Sequence, residues 1–243
     1  LQVLFLTEQD DTETRAAIRT MNLPENFEVV IVPQGTPKTK PRACNYGLTK
    51  ATGEYVVIFD AEDVPDPLQL KKAVLTFASN AVNVACVQAR LNFYNPAQNL
   101  LTRWFPIEYS LCFDLILPGL QRLGFSLPLG GTSNHFRIAA LKALGGWDSY
   151  NVTEDADLGL KLSRYGFRTI MLDSTAYEEA NSRVLSWIKQ RSRWIKGYMQ
   201  TYLVHTRQPL KALRQGKIKD LLSLHLFVGG GAIVLLINPV MWL

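Results

Sequence analysis

Three stretches of this chain gather side chains suited to phosphate and sugar chemistry. Asp60-Ala61-Glu62-Asp63 places three carboxylates directly after the run EYVVIF. Crowded negative charge is costly unless a cation or hydrogen bonds offset it. Mg2+ and Mn2+ prefer oxygen ligands and bridge to phosphate oxygens. Asp60 and Glu62, two apart, can both reach one ion. An acidic turn ahead of Pro65 and Pro67 accounts for the cluster equally well. Thr153-Glu154-Asp155, followed by Asp157, is the second stretch. Thr153 is a good helix N-cap, and acids in a first turn gain about 0.3–1 kcal/mol from the helix dipole. That explains the cluster without catalysis, but a carboxylate there also suits a general base for a sugar hydroxyl. Asp155, with Glu154 beside it, is the candidate. The third is Gln190-Arg191-Ser192-Arg193-Trp194. On a helix, Gln190, Arg193 and Trp194 share one face. Arg grips phosphate with a planar fork, and an indole offers a flat apolar surface to a sugar ring. The alternative is an interfacial helix with a Trp anchor and snorkelling arginines.

Two weaker signals accompany these. Lys40-Pro41-Arg42 opens a helix with cations, against the dipole, a placement that leans slightly toward phosphate binding, although taken alone solvated surface charges account for it better. Gly130-Gly131-Thr132-Ser133-Asn134-His135 is a polar loop, either lining a pocket or forming an ordinary turn. Ser133 is its candidate acceptor contact. The three cysteines and three histidines fall in no metal-ligand spacing, which argues against a zinc site or a disulfide framework.

The elements that must position these residues are readable from apolar patterning. Strand-like runs at 1–6, 27–32, 54–59 and 84–88 alternate with helical patterns at 11–22, 40–52 and 67–79. This predicts an α/β fold with a mostly parallel sheet, its ligands bound beyond the carboxyl ends of the strands. Residues 98–120 read as apolar helix lying on another surface. A helix is predicted near Thr153, and a long amphipathic one over 182–205.

The net charge is +5, and it is local: from Arg183 to Lys219 there are ten Lys/Arg and no Asp/Glu. Residues 221–243 carry no charge and are long enough for a bilayer core of about 30 Å. The basic residues just before them, Lys211, Arg214, Lys217 and Lys219, predict a membrane span with everything upstream cytoplasmic. A buried hydrophobic helix is the alternative. The basic run fits a membrane surface better than a nucleic acid. Gly229-Gly230-Gly231 reads as a close-packing surface between membrane helices. The chain begins in a strand and ends in the apolar run, so a fragment of a longer membrane protein is expected.

Taken together and in this order, the motifs resemble those of the processive-type family-2 glycosyltransferases, the cellulose, chitin and hyaluronan synthases. The family's D-x-D falls on Asp60-Ala61-Glu62, its T-E-D on Thr153-Glu154-Asp155, and its Q-x-x-R-W on Gln190 to Trp194. Phrases such as KPRACNYGL, FDAEDVPDP and VTEDADLGL resemble a bacterial subgroup of polysaccharide glycosyltransferases. The resemblance implies a GT-A (Rossmann-like) catalytic domain over 1–180, interfacial helices over 181–219, and the start of a transmembrane region over 220–243. It implies metal-dependent, inverting transfer from a nucleotide sugar, a UDP-sugar above all, to a glycan acceptor at the plasma membrane. Asp60, Lys40 and Arg193 would face the diphosphate, and Glu62, Asp60 or Asp63 would hold Mg2+ or Mn2+. Asp155 would be the base, with Trp194, Gln190 and Ser133 toward the acceptor. Glu8, ahead of its competitors Asp10 and Asp11, would contact the nucleotide. A non-catalytic nucleotide-sugar sensor on the same scaffold is the alternative, and accessory subunits stay open.

Overall fold

A computed structural model describes residues 1–207 and 218–241. The chain divides into two compact units, Leu1–Val56 with Phe136–Tyr150, and Val57–His135 with Asn151–Leu243. Lys211, Arg214, Lys217 and the last two residues of the expected span lie outside the described residues.

The first unit is built on two strands, β1 (Val3–Glu8) and β2 (Phe27–Val32), paired in parallel from Val3 opposite Phe27 to Glu8 opposite Val32. Parallel neighbours need a crossover, and helix α1 (Thr12–Thr20) supplies it. Asp11 starts that helix, its carboxylate accepting the Thr14 N–H at 3.1 Å. Helix α2 (Lys40–Lys50) begins with Pro41 in its first turn, where a missing N–H costs nothing. The Asn45 side chain fastens α2 to the returning segment, donating to the Trp147 carbonyl and accepting the Trp147 N–H.

A five-stranded sheet is formed by β3 (Tyr55–Ile58), β4 (Val64–Pro65), β5 (Val84–Phe93), β6 (Asn134–Arg137) and β7 (Arg168–Glu178). Its order is β3-β6-β5-β7-β4. The unit division falls within β3 and β6. β5 runs parallel to β7, whereas β4 runs antiparallel to it. The sheet is therefore mixed, where the sequence pattern predicts a mostly parallel one. β4 is a two-residue edge strand containing proline, which an edge tolerates, and β6 is antiparallel to β3, with the Ser133 N–H donating to the Ile58 carbonyl and the Ile138 N–H to the Glu54 carbonyl. β5 is central and nearly wholly buried, with Val84 through Val87 fully inaccessible.

Helix α3 (Gln69–Ala78) covers β5 and β7. Next comes α4 (Leu100–Ser110), a π-helical turn (Leu111–Ile116) and α5 (Leu117–Leu123). Asn99 and Thr102 form a capping box at the start of α4. Pro106 and Pro118 cannot donate to the helical ladder, and the π-turn sits between them. Phe113, Leu117 and Leu120 pack on Leu91 and Ala176. Helix α6 (Ile138–Ala143) belongs to the first unit. Helices α7 (Glu154–Arg164) and α8 (Val184–His205) belong to the second.

The expected membrane span takes another form. Among the described residues no helix is long and apolar enough to cross a membrane. The run is divided into a helix at Ile218–Ser223, a π-helical turn at Leu224–Gly229 and a helix at Gly230–Met241. Its first half is docked on protein. Leu224 and Val228 share a core cluster with Leu160, and the Ser223 hydroxyl donates to the Ser126 carbonyl. Gly229 faces the Tyr202 ring, which leaves no room for a β-carbon.

Candidate active site

Asp60 follows β3 in a tight turn in which the Asp63 N–H donates to the Asp60 carbonyl at 3.1 Å. The Asp63 carboxylate turns back into that turn. It accepts the Asp60 N–H at 2.7 Å and, through the same oxygen, a short bond from the Thr132 hydroxyl. Asp63 is thus a latch between the acidic turn and the Gly130–Asn134 loop, and its engagement there leaves Asp60 and Glu62 as the better metal candidates. Asp60 is half-buried and Glu62 exposed.

Among the described residues, no group of three or more His, Cys, Asp or Glu side chains is placed to hold a metal ion. Two hard carboxylates at a strand end still fit Mg2+ or Mn2+, which is commonly held by one or two carboxylates with phosphate oxygens completing its shell. The fit is to a metal that arrives with a diphosphate, not to a closed protein cage.

Gln88 holds the loop from below. Buried in β5, its amide donates to the Ala89 and Thr132 carbonyls and accepts the Gly130 N–H at 2.8 Å. A polar side chain inside a continuous apolar strand is the sequence signal for such a support. Ser133 reverses an expectation. Its backbone is left-handed, φ 56°, and its side chain is fully buried, so it faces the protein rather than an acceptor. His135 lies beneath, its Nδ1–H donating to the Val87 carbonyl. Burial pushes its imidazole down to about 4, so it is neutral at pH 7.

Asp155 stands on the other side of the same loop. A β-carbon on Gly131 would lie 3.6 Å from its Oδ2. Its Oδ1 accepts the Ala156 N–H at 2.8 Å. Thr153 occupies the N-cap position of α7 without a capping hydrogen bond. Its hydroxyl is instead shared with Asn151 and Thr201. Helix α7 itself is pressed on the segment before the loop, since a β-carbon on Gly159 would meet the Leu127 carbonyl oxygen.

Helix α8 docks on the start of α7 along one seam. Gly197 lies against Thr153, the Thr201 hydroxyl accepts from the Asn151 amide at 2.8 Å, and His205 Nε2 meets Asp157 Oδ1 at 2.7 Å. Trp194 is one turn before Gly197 and half-buried, as is Gln190. The Gln190 amide oxygen is buried with no hydrogen-bond partner among the described residues. Tyr198, on the same helix, has its phenol pushed up by burial and, next, by the Asp155 carboxylate.

Arg193 is exposed, whereas Gln190 and Trp194 are half-buried. The guanidinium that meets the indole belongs to Arg191, 4.9 Å above the Trp194 ring. It also lies over Phe105 and Trp187 and makes a bidentate pair with Glu108 at 2.5 and 2.6 Å. Arg191 was visible in the motif, but nothing in sequence spacing pairs it with a glutamate 83 positions away. A groove of about 560 Å³ on α8, lined by residues such as Ser192, Ile195 and Leu203, includes none of the candidates.

The first unit carries Glu8, Lys40 and Arg42. The Arg42 guanidinium is 3.8 Å from the Glu8 carboxylate and donates to the Pro33 carbonyl. Asp10 is paired with Lys38 at 2.7 Å, and Asp11 caps α1, so both competitors of Glu8 are engaged. Lys40 is half-buried at the first position of α2.

Comparison with known proteins identifies the family and the fold. The family model described as "Glycosyl transferase family group 2" matches residues 55–243. The chain is 24% identical over 225 residues to "Probable glycosyltransferase YdaM" of Bacillus subtilis, covering 91% of this chain and 53% of that one. It is 36% identical over 149 residues to "Glucomannan 4-beta-mannosyltransferase 2" of Arabidopsis thaliana, covering 59% and 27%. It therefore spans about half the bacterial relative and about a quarter of the plant one. Among solved structures, the mannosyltransferase PcManGT from Pyrobaculum calidifontis, in complex with GDP-Man and Mn2+, superposes with a TM-score of 0.67. The identity is 22%, over 94% of this chain and 61% of that one. The likeness is one of fold: α/β, GT-A-like, with a mixed sheet.

Proposed function

Because the chain belongs to glycosyl transferase family group 2, we propose that it is the catalytic part of an enzyme moving a sugar from a nucleotide sugar to a glycan hydroxyl. The observation that carries this is the single loop Gly130–Asn134, latched to the Asp60 turn through Asp63 and lying against Asp155. A phosphate-facing carboxylate and a candidate base thereby flank one rigid element.

The reaction is a single in-line displacement. The acceptor oxygen bonds to the anomeric carbon as the bond to the diphosphate oxygen breaks, inverting that carbon. The hydroxyl proton passes to Asp155, and the nucleoside diphosphate leaves. Asp60 and Glu62 would hold Mg2+ or Mn2+, which supplies charge neutralisation for the leaving diphosphate. In the first unit Glu8 and Lys40 are the proposed nucleotide contacts, and in the second Arg193 is the proposed diphosphate contact. Trp194 and Gln190 are proposed for the acceptor. Positioning and charge stabilisation then carry the rate, with no covalent intermediate.

The likeness of the acidic and Trp-bearing motifs to cellulose, chitin and hyaluronan synthases supports a polysaccharide product. The acid-free basic stretch supports work at the cytoplasmic face of the plasma membrane. The donor is to be found by incubating the intact protein with GDP-mannose, UDP-glucose and UDP-N-acetylglucosamine, each with Mg2+ or Mn2+. Release of nucleoside diphosphate from one donor, dependent on acceptor, is the expected result. No release from any donor under any metal would replace the enzyme by a nucleotide-sugar sensor.

A further inference from the structure

Trp187, Arg191 and Trp194, four and three residues apart, lie along one stripe of α8. From that stripe Arg191 reaches across to α4. Its Nη1 and Nη2 donate to the two Glu108 carboxylate oxygens at 2.5 and 2.6 Å. Its Cζ lies 5.3 Å from the centre of the Phe105 ring, which is buried edge-on against Phe93. It lies 4.9 Å from the centre of the Trp194 ring and 5.9 Å from that of Trp187.

Stability alone does not ask for this arginine. The Asn99 amide already joins the start of α4 to the Ser182 carbonyl, just ahead of α8. Leu101 and Trp187 pack on the buried cluster of Phe93, Phe105 and Ala180. The Glu108 side chain is about half exposed, and an ion pair with one partner in water adds little. Arg191 Nε, meanwhile, is buried with no hydrogen-bond partner among the described residues, a donor left unsatisfied at a cost.

What the pair does supply is a fixed plate. Two parallel hydrogen bonds set the plane of the guanidinium, and a cation held in that plane attracts the indole beside it. An indole that stacks on a sugar has to present one face at one angle. A ring already stilled loses less entropy when the sugar arrives. Tyr198, one turn beyond Trp194, connects the plate to the candidate base. Burial pushes its phenol up, Asp155 does so next, and the charges of Arg191 and Glu108 reach it too.

We propose that Arg191, anchored by Glu108, is a positioning residue that fixes the Trp194 indole as a stacking platform for a sugar of the acceptor glycan. It acts through Trp194 and not on the reacting atoms. This rests on the acceptor role proposed above for Trp194.

The test labels the intact protein with 5-fluorotryptophan and follows it by fluorine NMR. The Trp194 signal is identified by its loss in Trp194→Phe. Arg191→Met removes the plate and leaves Glu108 to water. Expected is a single sharp Trp194 signal in the wild type that broadens or splits in Arg191→Met, as the ring samples several rotamers. The Trp147 signal, from a ring packed on Phe136, should stay as it was and controls for folding. Mannohexaose and cellohexaose, two β-1,4-linked hexasaccharides, are titrated in as acceptor probes. Either should shift the wild-type Trp194 signal, and Arg191→Met should weaken that binding about 2- to 30-fold, the worth of one cation–π contact. Glu108→Gln, a milder change at a half-exposed site, should fall between. Affinity for GDP or UDP with Mn2+ should not change. An unaltered Trp194 signal or unaltered hexasaccharide affinity in Arg191→Met would overturn the proposal and leave the pair a brace between helices. Weaker GDP or UDP binding in that variant would overturn it in favour of a diphosphate contact. A wild-type Trp194 signal that neither hexasaccharide shifts would remove the platform itself. A wild type that binds neither nucleotide would count instead against the glycosyltransferase reading.

Discussion

In the second unit Asp63, Gln88 and His135 each find partners inside the fold, whereas in the first unit Lys38 and Asp10 meet in solvent, each more than half exposed. Both arrangements are groups of polar side chains in or near the strands. They differ in what holds them. A buried amide such as Gln88 cannot be removed without stranding the Gly130 N–H and the Thr132 carbonyl, at about 1–3 kcal/mol for each unsatisfied group. An exposed ion pair is screened by water and salt and fixes little. The acidic turn and its loop are therefore held to one geometry, as a site that must align a base with a hydroxyl requires. The charged rim of the first unit is free to adjust, which suits contacts that only recognise.

The largest effect should come from the residue this rigidity serves. Asp155→Asn keeps the shape and the Ala156 contact but removes the proton acceptor. Turnover should fall about 10²–10⁴-fold, the usual share of a general base. Donor affinity, measured by titration of the nucleoside diphosphate with Mn2+, should stay near wild type. Near-normal turnover would show that Asp155 is not the base and that the loop's rigidity serves something else.

Most of the frame was legible in the residues. The runs FEVVIV and EYVVIF and the pattern after Thr153 gave strands and helices within a few positions of those observed. Continuous apolar runs and a capping residue signal locally, and local signals survive in the fold. What was not legible depends on partners distant in sequence. Asp63 could not be told from Glu62 until Thr132 was seen to bind it. Ser133 looked available because a left-handed, buried serine leaves no composition signature. Spacing put Arg193 on one face with Gln190 and Trp194, but it gave no sign that Glu108 and the rings of Phe105 and Trp187 hold Arg191 over the Trp194 indole. The run 221–243 was apolar enough for a membrane helix, yet Leu224 and Val228 are also the right shape for the pocket over Leu160. Hydropathy alone does not separate these two uses.

A smaller effect should follow from disturbing the seam between α7 and α8. A β-carbon at Gly197 would come within 2.5 Å of Thr153 Cγ2 and 2.9 Å of Val152 Cγ2. Gly197→Ala must push α8 outward, and overpacking of this kind typically costs about 1–3 kcal/mol. Gly119→Ala is the control, because its β-carbon meets nothing within 4 Å. Urea unfolding of the two variants should separate them, Gly197→Ala alone losing stability. Its acceptor KM should rise as well, since Trp194 lies one turn from the displaced residue. If Gly197→Ala unfolds like the control, the seam is not what fixes α8, and the contrast between rigid and adjustable regions loses half its basis.

The smallest effect is expected where the comparison says little is at stake. Lys38 donates to both oxygens of Asp10 at 2.7 Å, and that bond holds the Asp10 carboxyl below its ordinary range. Because the folded value is lowered, whatever the pair contributes is present above pH 3.8, the ordinary value for an aspartate, and fades as pH falls further. Both side chains are solvated, so the contribution at neutral pH should be too small to detect. Lys38→Ala should leave the urea midpoint unchanged at low and at high salt, and it should leave donor KM unchanged too. A salt-sensitive loss of stability would mean that the first unit depends on its rim charges. A several-fold rise in donor KM would add Lys38 to the proposed nucleotide contacts, Glu8 and Lys40.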